Sequence, residues 1–449
     1  MSFKQNLVRA RGHIVFILAL ICAFSLVITL ENMELEKRVT PKVNIKNSFD
    51  LQRAEHRPLT QQEWEWAKIA WKFFENNTIE STGMVNSVDG YTASTLWDTS
   101  SYMMALISAE RLSLISRNEF DTRMSKILKS LQQLPLFEDT LPNKSYNTES
   151  LAMVDYANQK SETGIGWSAI DIGRFLVPMN ILVWNYPEFT HQVREVTALW
   201  DLSASVKNGE LFGALYEKGN TQLLQEGRLG YEEYAAKSYQ LMGFDVSNAV
   251  DYSMWLSFKD IYDINIPTDS RNPEIFHAHN YVVSESYILD QIEFGGDQVS
   301  SEFAERVYKV QEERYKDTGI LTAVSEDNID QAPYFVYNTV FTSGKAWNAI
   351  TEDGADASEF KTLSTKAAFG WYALFEDEYT AKLMAVASTL YDPEKGWYSG
   401  QYEKTGKPNK ALTANTNGII LETLAYKATG TLLNPNQKSL ETLHKLTKK

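Results

Sequence analysis

Three glutamates and two glycines stand close together just before an alanine-containing run that predicts the start of a helix: Glu226, Gly227, Gly230, Glu232 and Glu233. The glycines allow backbone conformations that other residues adopt only at a cost. The positive end of the helix dipole favours carboxylates in the first turn. Such a loop can present a carboxylate to a cleft for general acid or base chemistry. The alternative is that these glutamates are ordinary first-turn residues, positioned by the same dipole.

Four more carboxylates are candidates for the same chemistry. Asp98 follows Trp97 at a predicted helix entrance, where its side chain either meets a ligand or caps the helix. Asp171 opens another predicted helix and is either a reacting group or a buried carboxylate that bridges helices. Asp155 could react or could simply hold its own loop in place. Glu285, near the start of a further predicted helix, completes the set.

Aromatic and basic side chains in or beside the predicted long loops could bind a ligand. Trp97, Trp167 and Trp397 could stack against flat apolar ring faces, or could pack in the core. Arg174 and Arg228 could hold hydroxyl groups or orient a carboxylate through paired hydrogen bonds, or could form structural ion pairs. The chain has 11 Trp, 23 Tyr and 21 Phe, so composition permits both uses.

The composition excludes several classes of protein. The net charge is -15 and no basic stripe appears in the main body, which argues against a nucleic-acid partner. Cys22 is the single cysteine, so neither a disulfide framework nor a cysteine metal site is expected. His277 and His279 lack a matched third ligand, and no phosphate-cradling, dinucleotide or Gly-x-Ser-x-Gly motif stands out. We therefore expect no metal and no cofactor.

Apolar residues at helical spacing predict roughly a dozen helices and few strands. Trp66, Ile69, Ala70 and Phe73 fall on one face of the first helix, for example. The segments with this pattern are residues 63–74, 95–114, 117–134, 168–184, 187–202, 231–242, 283–294, 301–318, 343–348, 364–374, 377–391 and 417–428. We therefore predict an all-α fold for the body, residues 59–432, followed by a polar tail at 433–449.

The connections between these helices alternate in character. The short ones include 113–117 and 185–188, and the long ones, rich in Gly, Asn, Asp and Tyr, are 135–166, 208–230, 263–281 and 391–416. Helical hairpins with short links on one side and long links on the other predict an (α/α)6 toroid with its cleft on the long-loop side. No repeat of fixed period is evident, so a solenoid is disfavoured, and a two-domain helical protein remains the alternative.

Motifs in the long loops and the helices they enter keep a recognisable order. They are Thr-Ala-Ser at 92–94, the segments 102–105, 109–112 and 146–151, Ile-Asp-Ile-Gly at 170–173, Gly-Tyr-Glu-Glu at 230–233, Glu285, Glu-Phe-Gly at 293–295, Gly-Trp-Tyr at 396–398 and Asn-Gly at 417–418. This ordered set resembles the glucoamylase-like family of bacterial (α/α)6 proteins, which includes β-1,2-glucanases and a domain of cyclic β-glucan synthases. It is more similar still to a bacterial envelope family recorded mainly as a domain of unknown function.

The resemblance implies a role for particular residues in glycoside cleavage. Its Gly-Tyr-x-Glu pattern points to Glu233 as the essential carboxylate facing the cleft, with Glu232 turned to solvent or to a neighbouring loop. The helix-opening aspartate points to Asp171 as the second catalytic group. The reserve candidates are Glu226, Glu232, Asp98, Asp155 and Glu285, and the expected substrate contacts are Trp97, Trp167, Trp397, Tyr146, Arg174, Arg228 and Tyr231.

Two positions depart from the pattern that the resemblance implies. Asn147 stands where the family tends to have Tyr-Asp-Thr. Asn415, Thr416 and Asn417 stand where the family places an aspartate shortly before a glycine. If that aspartate serves acid or base chemistry in relatives, this chain uses another group, performs different chemistry or has lost the activity.

An uncharged apolar run at 14–30 is just long enough to span a membrane. Lys4, Arg9 and Arg11 precede the run and acidic residues follow it, which predicts a cytoplasmic N-terminus and a main body on the far side. We expect a cytoplasmic tail at 1–11, an anchor at 12–31 and a stem at 32–58, in a bacterial inner membrane with the body in the periplasm. A cleaved signal peptide is the alternative, since Ala-Phe-Ser at 23–25 resembles a cleavage site.

These observations lead to one preferred function and two alternatives. The preferred one is a periplasmic glycoside hydrolase or transglycosylase acting on a β-glucan, with β-1,2 linkage considered first and with inversion expected. Inverting enzymes hold two carboxyl groups roughly 6.5 to 9.5 Å apart. The first alternative, which the missing aspartate favours, is a non-catalytic glycan-binding or assembly protein beside a membrane glycosyltransferase. The second is a lyase or epimerase, which would use His or Tyr as base.

Overall fold

A computed structural model describes Leu20, Phe49 and residues 51–276 and 278–434. The chain divides into Met1–Val43 and Asn44–Lys449, and the fold described below is that of the second unit. The predicted cytoplasmic tail, most of the predicted anchor and stem, and residues 435–449 lie outside the described part. Within the described part, no helix combines the length and the apolar character needed to cross a membrane.

The body is built mainly from helices that follow one another along the chain. They are α1 (Gln61–Asn77), α2 (Leu96–Arg111), α3 (Arg117–Leu131), α4 (Ala169–Asn185), α5 (Thr190–Thr197), α6 (Tyr231–Leu241), α7 (Pro273–Phe276), α8 (Ser284–Leu289), α9 (Gln298–Thr318), α10 (Thr365–Leu374), α11 (Glu378–Ala387) and α12 (Ala414–Thr429). A π-helix, Asp290–Phe294, continues α8, and single 3-10 turns occur at Pro187–Phe189, Leu202–Ser205 and Ser358–Phe360.

The even-numbered helices form a closed inner ring. Each packs against the next, from α2 through α4, α6, α8 and α10 to α12, and α12 returns to pack against α2. These helices are buried on nearly all sides, as expected for helices that are apolar or small around their whole circumference. Gly173 faces Ala235 on α6, and Gly418 faces Ser101 on α2, at distances that leave no room for a β-carbon. Glycine therefore sets the close approach of neighbouring inner helices.

The remaining long helices lie outside this ring. α1 packs on α12, α3 on α2, α5 on α4, α9 on α8 and α11 on α10. They are amphipathic: α3, for example, buries Phe120, Met124 and Ile127 and exposes its charged face. Between α6 and α8 the chain forms a β-hairpin and the short α7 instead of a long outer helix. The arrangement is an (α/α)6 toroid, as predicted, with one outer helix replaced.

Side-chain caps fix where several helices begin. Thr60 and Glu63 form a reciprocal capping box at α1, and Thr95, Ser116 and Ser168 each accept a backbone N–H in the first turn of the helix that follows. Such local hydrogen bonds depend on neighbouring residues only. They explain why the predicted helices begin within a few residues of the observed ones.

Short antiparallel strands occupy the connections. They are β1 (Ala93–Thr95), β2 (Leu136–Phe137), β3 (Leu141–Pro142), β4 (Ser145–Asn147), β5 (Val206–Lys207), β6 (Glu210–Glu217), β7 (Asn220–Gln225), β8 (Leu256–Ile261), β9 (Ile264–Asp269), β10 (Glu326–Asn328), β11 (Phe335–Asn338), β12 (Phe341–Thr342), β13 (Lys345–Ala346), β14 (Ala349–Ile350), β15 (Thr362–Ser364), β16 (Tyr391–Asp392), β17 (Gly396–Tyr402) and β18 (Pro408–Leu412). The sheets are β1-β4, β2-β3, β5-β6-β7, β8-β9, β10-β11-β14, β12-β13 and β15-β17-β16, with β18 paired to β17.

The prediction of few strands is therefore wrong for the loops, and one predicted helix is absent. Residues 343–348 form the turn and second strand of the β12-β13 hairpin. Ser343 and Gly344 both have positive φ, which a two-residue hairpin turn requires and a right-handed helix excludes. Lys218 and Gly219 make the equivalent turn between β6 and β7. These turn residues were the available signal for strands.

Candidate active site

The first turns of the inner helices converge at one end of the ring, here called the mouth, whose members are Trp97, Asp171, Tyr231, Glu285, Lys366 and Asn415. The Trp97 indole N–H lies 3.2 Å from Glu285 Oε1 and 3.3 Å from Asn415 Oδ1. The Asn415 amide donates to both oxygens of Glu285 at 3.2 Å. The positive ends of the converging helix dipoles favour the carboxylate side chains that the mouth contains.

Lys366 at the start of α10 is buried among carboxylates. Its ammonium pairs with Glu285 Oε2 and lies 3.6 Å from Asp327 Oδ1, and all three side chains are at most 3% exposed. Burial lowers the pKa of Lys366, but the charges of Glu285 and Asp327 outweigh it and raise the pKa above the usual range. Burial raises the pKa of Asp327 to about 8, against the opposing effect of Lys366. The floor of the mouth is therefore a charge-balanced cluster.

Asp98 lies beside this cluster on α2 and is partly exposed. Its Oδ2 accepts hydrogen bonds from the hydroxyls of Ser87 and Thr95 at 2.6 and 2.8 Å. Burial raises the pKa of its carboxyl above the ordinary value, while the two hydroxyls oppose that rise and nearby Glu285 adds to it. Thr95, not Asp98, caps α2. The N-cap alternative for Asp98 is therefore wrong, because Asp98 sits inside the first turn.

Asp171 and Glu226 form a second pair of carboxylates on the α4 side of the mouth. Both are partly exposed. Glu226 reaches the start of α4, where its Oε2 accepts the Ala169 N–H at 2.6 Å, and the absence of a side chain at Gly213 leaves room for it. Burial, followed by the charge of Glu226, raises the pKa of Asp171 to about 7, and Asp98 also contributes. Asp171 can therefore hold a proton near neutral pH.

Glu232 and Glu233 are turned away from this pair. Glu232 is 3% exposed and pairs with Arg271 on the neighbouring loop at 2.6 Å, so it faces that loop and not solvent. Glu233, also 3% exposed, accepts the Gly230 N–H at 2.6 Å and so caps its own helix. Burial, followed by the charge of Glu232, raises the pKa of Glu233 to about 8. The contact with the Gly230 N–H folds the Glu233 carboxylate back on α6, so the geometry favours a capping role over the expected role facing the cleft.

Arg174, expected to contact substrate, lies below the mouth on the axis of the ring. It is fully buried and pairs with Glu293 and, at 2.6 Å, with Glu422. It also donates to the Tyr234 hydroxyl at 2.9 Å, which in turn donates to Glu293. Its guanidinium lies 5.7 Å from the Trp97 ring centre. Arg174 therefore ties α4, α6, α8 and α12 together and supports Trp97 from beneath.

Three of the aromatic residues expected to bind substrate are core residues. Trp397 is fully buried and donates to the Trp66 carbonyl at 3.1 Å. Trp167 is 4% exposed and donates to the Phe212 carbonyl at 3.0 Å. Tyr146 is 1% exposed, with its hydroxyl on a backbone carbonyl. Because these side chains are buried and their polar atoms are satisfied, they cannot stack on a sugar as expected.

Two further candidates have structural roles as well. Arg228 is buried and donates to Gln225 and to the carbonyl of Phe276, so it joins the loop before α6 to the loop after β9. Burial, helped by the charge of Arg271, lowers the pKa of Arg228 to about 10. Asp155 accepts two backbone N–H groups within its own turn, at 2.9 and 2.8 Å. It holds its loop in place, which is the structural alternative stated for it.

Trp97 and Tyr231 are the expected aromatic contacts that remain in the mouth. Both are partly exposed, and their ring centres lie 5.6 Å apart in an edge-to-face arrangement. Lys366 and Asp327 were not predicted as site residues, and Asn415 was noted only as the replacement of an expected aspartate. Lys366 and Asn415 both lie in the first turn of an inner helix, and that position was the signal that could have identified them.

Within the part of the chain that the structure describes, no group of three or more His, Cys, Asp or Glu side chains is arranged to hold a metal ion. His277, one of the two histidines weighed as ligands, lies outside that part. The groups that the described residues bring to the mouth include carboxyl groups, lysine, an amide and aromatic rings.

The sequence matches the family described as "Protein of unknown function (DUF3131)" over residues 65–430. No curated protein matches the chain. Solved structures with the same fold include a candidate glucoamylase from Bacteroides caccae, with TM-score 0.61, 12% identity and coverage of 86% of this chain and 97% of that one. An endo-β-1,2-glucanase from Chitinophaga pinensis has TM-score 0.58, 13% identity and coverage of 84% and 94%. An endo-β-1,2-glucanase from Talaromyces funiculosus has TM-score 0.56 and 11% identity, with coverage of 86% of this chain and 88% of that one.

Proposed function

The chain belongs to the DUF3131 family, and from its glucoamylase-like toroid and the carboxylates at the mouth we propose that it is a glycoside hydrolase or transglycosylase acting on a β-glucan. The observation that carries the proposal is the pair formed by Asp171 and Asp98. They stand on adjacent inner helices, both partly exposed, and each carboxyl has a pKa raised mainly by burial.

Asp171 is the proposed general acid. Cleavage of a glycosidic bond requires a carboxylic acid that remains protonated until it transfers its proton to the leaving oxygen. With a pKa raised to about 7, Asp171 carries a proton in a useful fraction of molecules at neutral pH. Glu226 is the proposed tuning group, because its charge opposes ionisation of Asp171 while its own oxygen is held by the start of α4.

Asp98 is the proposed second carboxylate. One of its oxygens is held by the hydroxyls of Ser87 and Thr95, which restricts the orientation of the carboxyl group. Helices in contact have axes about 8–10 Å apart, and α2 and α4 are in contact. In the proposed arrangement, which is that of inverting enzymes, a water molecule lies between the two carboxylates. We therefore propose that Asp98 activates water and that the anomeric configuration inverts.

The proposed substrate is a neutral glucan. The mouth collects more acidic groups than cations. Lys366 is buried and paired with Glu285, and the partly exposed Lys144 acts on Asp171 and Glu226. A uronate or phosphate chain would meet repulsion there, whereas hydroxyl groups find acceptors. Two structural neighbours are named as endo-β-1,2-glucanases, which makes β-1,2-glucan the first chain to test.

The test is to incubate the purified full-length chain with linear β-1,2-, β-1,3-, β-1,4- and β-1,6-glucans and cyclic β-1,2-glucan, following reducing ends and products. Asp171→Asn and Asp98→Asn should each lower kcat at least 100-fold, in the range typical of removing a general acid or base. Glu233→Gln is the matched control on the next inner helix and should keep most of the activity. NMR of the first product gives the anomeric outcome.

Two results would contradict the assignments. Full activity in Asp171→Asn would remove it as the acid, and loss of activity in folded Glu233→Gln would restore Glu233 as the catalytic group. Failure of the wild-type chain to cleave or transfer any of these glucans would refute the enzyme proposal.

A second candidate function is glycan binding without turnover, beside a membrane glycosyltransferase. The observation that favours it is Asn415, whose amide cannot serve as acid or base at the position where the resemblance implies an aspartate. Calorimetric titration of β-glucan oligosaccharides into the wild-type chain, combined with product analysis, separates the two functions. Binding with no product after prolonged incubation would favour the non-catalytic protein. Co-purification with a synthase would identify the glycosyltransferase partner that this function requires.

We propose that the body is held in the periplasm by the apolar run at 14–30, as the basic residues before that run indicate. Protease added to spheroplasts should then degrade the body, and carbonate washing should leave the full-length chain in the membrane fraction. A body protected from protease, or a chain shortened near position 25, would contradict the anchored orientation.

A further inference from the structure

Two tyrosine rings are stacked on one wall of the mouth. Tyr281 lies three residues before the start of α8 at Ser284, and Tyr337 lies on β11. Their ring centres are 4.0 Å apart and their planes differ by 5°. Both side chains are partly exposed, and Phe335 packs edge-on against Tyr337 at 5.2 Å. A stacked pair of this kind is a rigid aromatic surface, because each ring restricts the rotation of the other.

This stack is attached to the floor of the mouth through its strand. Tyr337 on β11 pairs with Glu326 on β10. The next residue, Asp327, lies 3.6 Å from Lys366, which pairs with Glu285. Val282, next to Tyr281, exchanges backbone hydrogen bonds with the chain around Phe341. Both rings are therefore fixed relative to the carboxylates and are not carried on a free loop.

A third tyrosine stands on a different connection near this stack. Tyr156 lies in the connection between β4 and α4, and its side chain is 56% exposed. Its loop is ordered: Tyr91 donates from its hydroxyl to the Tyr156 carbonyl at 2.9 Å, and Asp155 caps the turn. Asp171 and Glu226 are close enough to act on its phenol electrostatically, and Tyr156 acts on Tyr337 in the same way. An exposed aromatic ring held on an ordered loop beside the proposed acid implies a binding role.

The surroundings of these rings match a sugar chain. The flat C–H faces of a pyranose pack well on aromatic rings, and its hydroxyls need acceptors nearby. Glu352 is exposed and acts electrostatically on Tyr156, Tyr281 and Tyr337. It is therefore placed to accept hydrogen bonds from hydroxyls of a chain that passes between Tyr156 and the stack.

We propose that Tyr156 and the Tyr281–Tyr337 stack form an aromatic clamp, which binds the sugar units that extend from the scissile bond and selects chains longer than a disaccharide. This inference rests on the proposed function and adds to it the residues that set chain-length preference. In this proposal the three rings act on substrate binding and not on proton transfer.

The experiment measures binding and turnover separately. Linear β-1,2-glucooligosaccharides of increasing length are titrated calorimetrically into the full-length Asp171→Asn chain, with and without Tyr337→Ala or Tyr156→Ala. Removing one ring should weaken binding of the longer chains by up to about tenfold, as loss of one aromatic contact implies, and should leave the disaccharide nearly unaffected. Tyr337→Phe retains the ring and should retain the affinity. Tyr334→Ala, an exposed tyrosine on the same connection, is the matched control.

In the active chain the same substitutions should raise KM for long chains while kcat changes little. Equal affinities of Tyr337→Ala and its parent for every length would overturn the clamp while leaving the enzyme proposal intact. A uniform loss at every length that Tyr337→Phe fails to restore would also overturn it. A wild-type chain that binds these oligosaccharides but does not cleave them would refute the catalytic proposal alone, since the titrations still test the clamp. No binding of any glucan would refute both.

Discussion

Asn415 on α12 donates hydrogen bonds from its side-chain amide to both carboxylate oxygens of Glu285 on α8, at 3.2 Å each. Glu285 is buried and also accepts from Trp97 and pairs with Lys366. Asparagine supplies a donor at this position, whereas aspartate would set a second negative charge against Glu285. The departure from the expected aspartate is therefore matched to the residues around it.

The first prediction concerns this contact. Asn415→Asp should lower the free energy of unfolding at pH 7 by about 2 kcal/mol, because it replaces two donated hydrogen bonds by repulsion between partly buried carboxylates. Urea unfolding followed by tryptophan fluorescence measures the change. The double variant Asn415→Asp with Glu285→Gln should recover most of the loss, and an equal loss in both backgrounds would show that the contact is not responsible.

The second prediction concerns the pH dependence of activity. Asp171 must be protonated to act as the acid, and its pKa is raised to about 7. Asp98 must be ionised to act as the base, and its pKa is also raised above the ordinary value of 3.8. A plot of kcat/KM should therefore be bell-shaped, falling above pH about 7 and falling again toward acid pH. A rate that stays constant from pH 6 to pH 9 would contradict the role of Asp171.

The third prediction tests the tuning role of Glu226. Glu226→Gln keeps an acceptor for the Ala169 N–H but removes the charge that, after burial, raises the pKa of Asp171. The basic limb of kcat/KM should move to lower pH, while activity near its optimum changes less. A basic limb that does not move would show that burial alone sets the pKa of Asp171.

The fourth prediction separates buried from exposed lysines. Lys366→Met leaves Glu285 and Asp327 buried without their cation and should cost about 3–5 kcal/mol of unfolding free energy. Lys382→Met removes an exposed partner of Glu378 on α11 and should cost far less, because solvent screens an exposed ion pair. Thermal and urea unfolding of the two variants provide the comparison. Similar costs for both would contradict the charge balance described for the floor.

The fifth prediction concerns acid stability. Burial opposes ionisation of Glu63, but hydrogen bonds from Arg57, Tyr372 and Thr60 outweigh it and lower its pKa to about 2. Because the folded pKa lies below the ordinary value of 4.5, this carboxylate stabilises the fold above that pH and loses the effect as pH falls through about 2. Glu63→Gln should cost about 3 kcal/mol at pH 7, and the cost should shrink on acidification.

The matched control for Glu63 is Glu65→Gln on the same helix, which removes an exposed partner of Lys68. It should change the free energy of unfolding far less than Glu63→Gln does, and the change should depend less on pH. Unfolding measured between pH 7 and pH 2 decides the outcome. A cost for Glu63→Gln that remains constant over this range would contradict the linkage.

Much of the fold was predictable because its determinants are local. The apolar spacing of α1 and α3 and the capping residues Thr95 and Ser168 depend on residues a few positions apart. These signals located the helices, and the alternation of short and long connections predicted the toroid. The hairpin turns at 218–219 and 343–344 were also local signals, but they were not recognised, and the strands of the loops were missed as a result.

The composition of the site was only partly predictable. The sequence predicted four site residues that lie at or beside the mouth: Asp171, Asp98, Trp97 and Glu226. The same patterns also pointed to Trp397 and Glu233. Trp397 is fully buried in the core, and the Glu233 carboxylate caps its own helix. The difference lies in which face of a helix meets a neighbouring helix, and a residue pattern within one helix does not specify that face.

Helix propensity, capping and charge act within one segment, so the inner helices, their polar first turns and the acidic, cysteine-poor character of the chain follow from local sequence. Which of the first turns meet depends on how distant helices pack. Closure of the ring brings Trp97 within hydrogen-bond distance of Asn415, 318 positions away in the chain. It also puts Glu285 between Asn415 and Lys366. Such contacts arise from packing between distant helices, so no local pattern encodes them.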